Sequence, residues 1–196
     1  MRRAWIAHRL DARLQRSDRV RRGLRDLLLL GLVYGVVIAL LGIGGMAPWL
    51  AIPSRDYFLW EPLFTVPAFF LCGLLAAAVL QLLARSRGGR GTFEDTLSLI
   101  GPVTLWCTLF TLVPDALIAL GLLLGVIDPQ QWMTDIVHPS PTLALVWTYL
   151  LLYVAAFLIG YPMIARKVHH LSRPRARWCG WAAFLVYQAM LFVFIR

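Results

Sequence analysis

Apolar positions in this chain come in long unbroken runs rather than in stripes. Five stand out: roughly 27–47, 63–84, 97–126, 143–165 and 178–195. A helix needs about 20 such residues to cross the hydrocarbon core of a bilayer. Within lipid every backbone N–H and C=O must be bonded internally, which favours helices. The pattern therefore predicts an all-α integral membrane protein, a single bundle of five transmembrane helices over residues 27–196. The fifth run is short and ends beside Arg196. The first is too long for the apolar region of a signal peptide and follows 26 residues, so it reads as a retained span.

Polar positions between the runs set the orientation. Seventeen of the 19 Lys and Arg fall before the first run, between the second and third, and between the fourth and fifth. Arg55 and Arg196 are alone on the other side, and the 127–142 loop carries Asp128 and Asp135 without a cation. The positive-inside rule then predicts a cytoplasmic N-terminus and a C-terminus outside. This placement also accounts for the net charge of +9 without nucleic acid. Basic flanks suit anionic lipid headgroups, at about 1 kcal/mol per Lys or Arg. Trp49, Tyr57, Trp60, Trp132, Trp147, Tyr161, Trp178 and Trp181 fall near the expected interfaces, which favour such amphipathic rings.

Composition agrees. The chain is 60% hydrophobic and 15% charged, against about 45–50% and about 25% in soluble domains. Residues 1–26 form a basic segment. Trp5, Ile6, Leu10 and Leu14 recur at helical spacing, which fits an interfacial amphipathic helix, a solvated basic tail or a partner-binding helix.

Few residues suggest chemistry. Cys72, Cys107 and Cys179 show no CxxC or disulfide pattern. His169 and His170 are adjacent, point about 100° apart on a helix, and read as solvated loop residues. His138, Asp128 and Asp135 lack the spacing of a metal site. No nucleophile–base pair emerges, so the expectation is a non-enzymatic protein without a cofactor. Asp115, next to Pro114 in the third run, is the one acid inside a span, and such groups are functional candidates. With a helix starting near Phe93, Asp115 is expected at the outer interface, beside a break made by Pro114. Pro102 and Pro114 could kink that span and open a path, which would suit a small transporter or lipid translocase with Asp115 as its polar group. Gly31–Gly35 and Gly121–Gly125 fit GxxxG, which serves close helix packing, within one chain or in a homo-oligomer.

The segment GGRGTFED lies between the second and third runs. It lacks both GxxxxGK[ST] and GxGxxG. Gly88, Gly89 and Gly91 instead allow a tight reversal, and Thr92-x-x-Asp95 reads as a helix start. Arg85, Arg87 and Arg90 beside it, with Arg173 and Arg175 in the next basic loop, are the candidate lipid-headgroup contacts. LARSRGGRGTFEDTLSLIGPVTLW resembles the bacterial branch of the Yip (Ypt/Rab-interacting protein) domain family, through Gly88, Gly89, Gly91, Thr92 and Phe93. The resemblance implies five spans, a cytoplasmic N-terminus and an outward C-terminus. The reading that follows is a lipid-organising or partner-binding membrane protein acting through its basic cytoplasmic face.

Overall fold

The computed structural model describes residues 18–46 and 57–194. The expected N-terminal amphipathic segment up to residue 17, Trp49, Arg55 and Arg196 lie outside them, as do the side chains of Tyr57 and Trp60. The regular elements among the described residues are all helices. In chain order the helices are α1 (Arg19–Ile43), α2 (Tyr57–Ser86), α3 (Phe93–Leu123), α4 (Pro129–Val137), α5 (Pro141–His169) and α6 (Arg173–Phe194).

Four helices are long and apolar enough to cross a membrane: α1, α2, α3 and α5. The fifth expected span, α6, is not among them. Arg173, Arg175 and Arg177 occupy its first two turns, and Gln188 dilutes the remainder. Large apolar side chains face outward around the bundle. Leu32, Val36, Leu82, Leu117, Ile159 and Leu185 are each more than half exposed. So continuous an apolar surface would drive a water-soluble protein to associate, whereas lipid covers it without cost.

The long helices form a closed ring. α3 packs on α1, α1 on α2, α2 on α6, α6 on α5, and α5 returns to α3. Short links between successive helices make most neighbours antiparallel. α1 and α3 are the parallel pair: Gly23 near the start of α1 lies on Leu97 and Ser98 near the start of α3, and Gly44 at the end of α1 lies on Leu122. Backbone meets backbone where Gly101 of α3 abuts Gly23, so a side chain at Gly101 would run into the Gly23 carbonyl. On the opposite seam, Phe157 of α5 contacts four rings: Tyr153, Tyr161, Phe184 and Tyr187 at 4.8–5.3 Å.

Two local outcomes differ from the sequence reading. The break expected at Pro114 is not there: α3 continues to Leu123 with Pro102 and Pro114 inside it. Membrane helices tolerate proline when neighbouring groups or small adjustments serve the freed carbonyl. The 127–142 loop is also not bare, since it contains α4. Asp128 caps α4 by accepting from the N–H groups of Gln130 and Gln131, and Pro129 supplies the preset backbone angle of the first turn. Gly31 of α1 sits against the Val66 backbone of α2, and Gly121 against Ile127, so both glycines pack within the chain.

A Gly101→Val substitution should force α1 off α3 and destabilise the protein by about 1–3 kcal/mol or more. Thermal unfolding in detergent reads this out. An unchanged midpoint would show that the two backbones do not depend on this contact.

Candidate functional site

The ends of the bundle differ in charge. At one end, α2 closes with Arg85, α1 opens with Arg21, Arg22 and Arg25, α5 closes with Arg166 and Lys167, and α6 opens with Arg173, Arg175 and Arg177. Arg87 and Arg90 lie in the α2–α3 turn at the same end. Asp18, Asp26, Glu94 and Asp95 are there too, with Asp26 buried and 3.5 Å from Arg25. At the other end the described loops carry Asp128 and Asp135 and no Lys or Arg.

The turn at the basic end is built from its glycines. Gly88 has φ +85°, open to glycine at no cost. The Gly88 N–H donates to Arg85 O at 3.0 Å and Gly89 N–H to Ala84 O at 2.8 Å, closing α2 with a Schellman motif. Four residues later Thr92 opens α3. Its Oγ1 accepts from Asp95 N–H at 3.1 Å and donates to the Asp95 carboxylate at 2.7 Å. Phe93 is the first residue of α3 and partly exposed.

Beneath this turn lies a buried polar cluster that the sequence reading did not identify. Gln81 Nε2 donates to Gly91 O at 3.0 Å, which fixes the amide so that Oε1 faces Thr96 Oγ1 at 3.0 Å. That carbonyl oxygen can only accept. Thr96 hydroxyl also lies 2.9 Å from Thr92 O and 3.0 Å from His169 Nε2. Its single proton goes to one of the carbonyl oxygens, so His169 Nε2 carries hydrogen and donates to Thr96. His169 is therefore not the solvated loop residue expected. It is 1% exposed, while its neighbour His170 is exposed and turns the chain with φ +56°. The 100° separation of the pair puts one ring inward and one outward. His169 Nδ1 is buried without a partner and faces Gly91, where no Cβ would fit. Three glutamine, threonine and histidine side chains 15 and 73 residues apart carry no shared spacing, so no local signal marks them.

Two hydrogen bonds join the turn to the end of α5 and the start of α6. Arg90 N–H donates to His169 O at 3.4 Å, and Arg175 Nη1 donates to Arg87 O at 3.4 Å. Arg87 Nη1 donates back to Leu83 O at 3.3 Å. Of the five expected headgroup contacts, Arg87 and Arg175 thus hold the loops together. Arg85, Arg90 and Arg173 are exposed on the rim of the same end.

Asp115 lies apart from all of this, inside α3. Its Oδ2 accepts from Tyr34 OH of α1 at 3.1 Å, and the Tyr149 hydroxyl of α5 lies close by. Each of the three residues sits about 12 Å from the end of its helix. Thr104, Thr108 and Thr111 precede Asp115 on one face of α3, within about 60° of one another. All three are buried, and Thr104 shares a 3.0 Å hydrogen bond with Tyr161. Pro102 is buried two residues before this row and Pro114 adjoins Asp115, so the prolines flank a polar face without interrupting it. The buried cysteines Cys72, Cys107 and Cys179 are free thiols. No group of three His, Cys, Asp or Glu among the described residues is arranged to hold a metal.

No family model matches the chain, and no curated protein or solved structure matches it either.

Replacing Thr96 by Val should strand Gln81 Oε1 and His169 Nε2, at about 2–3 kcal/mol. Thr92→Ala removes one cap and should cost only about 1 kcal/mol. Comparing unfolding midpoints tests the order. A larger loss at Thr92 would contradict the buried network as the main clasp.

Proposed function

We propose that this chain is a non-enzymatic, five-span integral membrane protein of Yip-like type that engages anionic lipid headgroups through its basic end. The observation that carries this reading is the convergence of exposed arginines there. Arg85 and Arg90 come from one hairpin and Arg173 and Arg175 from the next, and the two loops are tied by the Arg90–His169 and Arg175–Arg87 hydrogen bonds. A rigid cationic rim loses less conformational entropy on binding than four independent side chains would.

The membrane arrangement follows from the same asymmetry. The positive-inside rule puts the basic end and the N-terminus in the cytoplasm, in what we read as a bacterial cytoplasmic membrane. α6 starts at that end and lies between α2 and α5, both of which are membrane-length. At 22 residues it extends about 33 Å, enough to accompany its neighbours across. Its opening arginines then sit at headgroup level, and the C-terminus emerges outside. The Gly88–Phe93 turn ahead of the third helix is what supports the Yip-like assignment.

A translocation path along α3 is the second reading. It is favoured by the hydroxyl face of Thr104, Thr108 and Thr111 leading to Asp115, which is unusual for a helix whose other sides are apolar.

Protein in nanodiscs containing phosphatidylglycerol should retain that lipid in preference to phosphatidylcholine, with retention falling as salt rises. The triple variant Arg85→Gln, Arg90→Gln, Arg173→Gln should reduce retention by about fivefold per charge, without disturbing Arg87 or Arg175. Native mass spectrometry measures the bound lipid. The same lipid profile in the triple variant would rule out headgroup binding at this rim.

A further inference from the structure

The geometry points to a site for a hard monovalent cation, a proton or an alkali ion, at Asp115 where α1, α3 and α5 meet. The site is independent of the headgroup reading, because it lies toward the opposite end of the bundle.

Its donors are the Asp115 carboxylate, the Tyr34 hydroxyl at 3.1 Å and the Tyr149 hydroxyl. Thr111, one turn earlier on α3, adjoins Tyr34, and its hydroxyl donates to Thr108 O at 3.0 Å. This set is all oxygen with one formal negative charge. Soft thiolates and imidazoles, which select zinc or copper, are not part of it, and neither is the second carboxylate that calcium sites usually supply. A single carboxylate with hydroxyl oxygens suits an ion of charge +1.

The need for such an ion comes from the surroundings. A carboxylate in an apolar bundle is costly unless its charge is met. Among the described residues every Lys and Arg lies at the basic end, beyond the row of threonines. Tyr34 softens the charge by donating a hydrogen bond, but it does not cancel it. A separate observation concerns Thr108, the next polar residue on the same face. Its hydroxyl oxygen is buried and has no partner. The polar face thus has hydrogen-bonding capacity left over two turns from Asp115, about 10 Å towards the basic end, where a water could extend the polar line to the ion. The titratable groups facing Asp115 are Tyr34 from α1 and Tyr149 from α5, phenols that stay protonated until about pH 10 in the ordinary case.

The test uses the full chain in zwitterionic nanodiscs, with unfolding followed by heat. Sodium chloride replaces choline chloride at constant ionic strength, and pH is then varied in choline alone. Wild type should gain stability with sodium if the ligand is an alkali ion, or only with falling pH if it is a proton. Asp115→Asn, which keeps the shape and removes the charge, should be flat in whichever series moves the wild type. Tyr34→Phe keeps the carboxylate and should weaken the apparent affinity about tenfold; it also serves if the Asn variant does not fold. A wild type insensitive to both series overturns the site and implies that the charge is met internally. An Asp115→Asn variant that follows the wild type, or a Tyr34→Phe variant with unaltered affinity, overturns it equally.

Discussion

Close approach of helix backbones is the constraint on which the rest of this structure depends. Lipid tails are as apolar as leucine, so helices in a membrane gain little from hiding apolar surface against each other. They associate where small residues let backbones touch and where polar groups find partners. Gly23 on Gly101 gives α1 and α3 that contact, Gly31 on Val66 does the same for α1 and α2, and Gly180 on Pro162 for α5 and α6. The ring closes through these points. Once closed, it aligns the starts of α1, α3 and α6 with the ends of α2 and α5, and so gathers the arginines into one rim.

The polar groups divide between two places, each with a distinct job. At the basic end, Gln81, Thr96 and His169 form a buried clasp whose donors and acceptors are set by the Gly91 carbonyl. The clasp fixes the turn, and the turn fixes where Arg85 and Arg90 emerge. Toward the other end, Tyr34, Asp115 and Tyr149 gather three helices around one carboxylate, which accepts from Tyr34. Between them the threonine face of α3 gives the bundle interior a polar line in an otherwise apolar fold. Burial makes each of these bonds stronger than it would be in water and makes an unmade one expensive.

Much of the architecture was legible in the sequence because it rests on composition. Long apolar runs located five of the helices, with ends off by up to eight residues where polar turns extend them, and the clustering of Arg located the basic end. The α3 start at Thr92 was legible because a cap is a local signal. What escaped depends on neighbours distant in sequence. His169 looked solvated because its own segment is basic, and its burial comes from Gln81 and Thr96 on other helices. The helix was expected to break at Pro114 because a single chain in water would break there. Packing on α1 and α5 carries α3 past it. α4 was missed because its nine residues are too short and too polar to register as a run.

The proposed function stands on a bundle in which α6 crosses the membrane beside the four membrane-length helices, with the basic end inside. Single cysteines placed at Ser86, His138 and Arg196, in a chain whose three buried cysteines are replaced by alanine, test this directly. In intact cells a membrane-impermeant maleimide should label the His138→Cys and Arg196→Cys chains, and should reach Ser86→Cys only after the membrane is opened. Labelling of Ser86→Cys in intact cells, or protection of Arg196→Cys alongside it, would contradict the account.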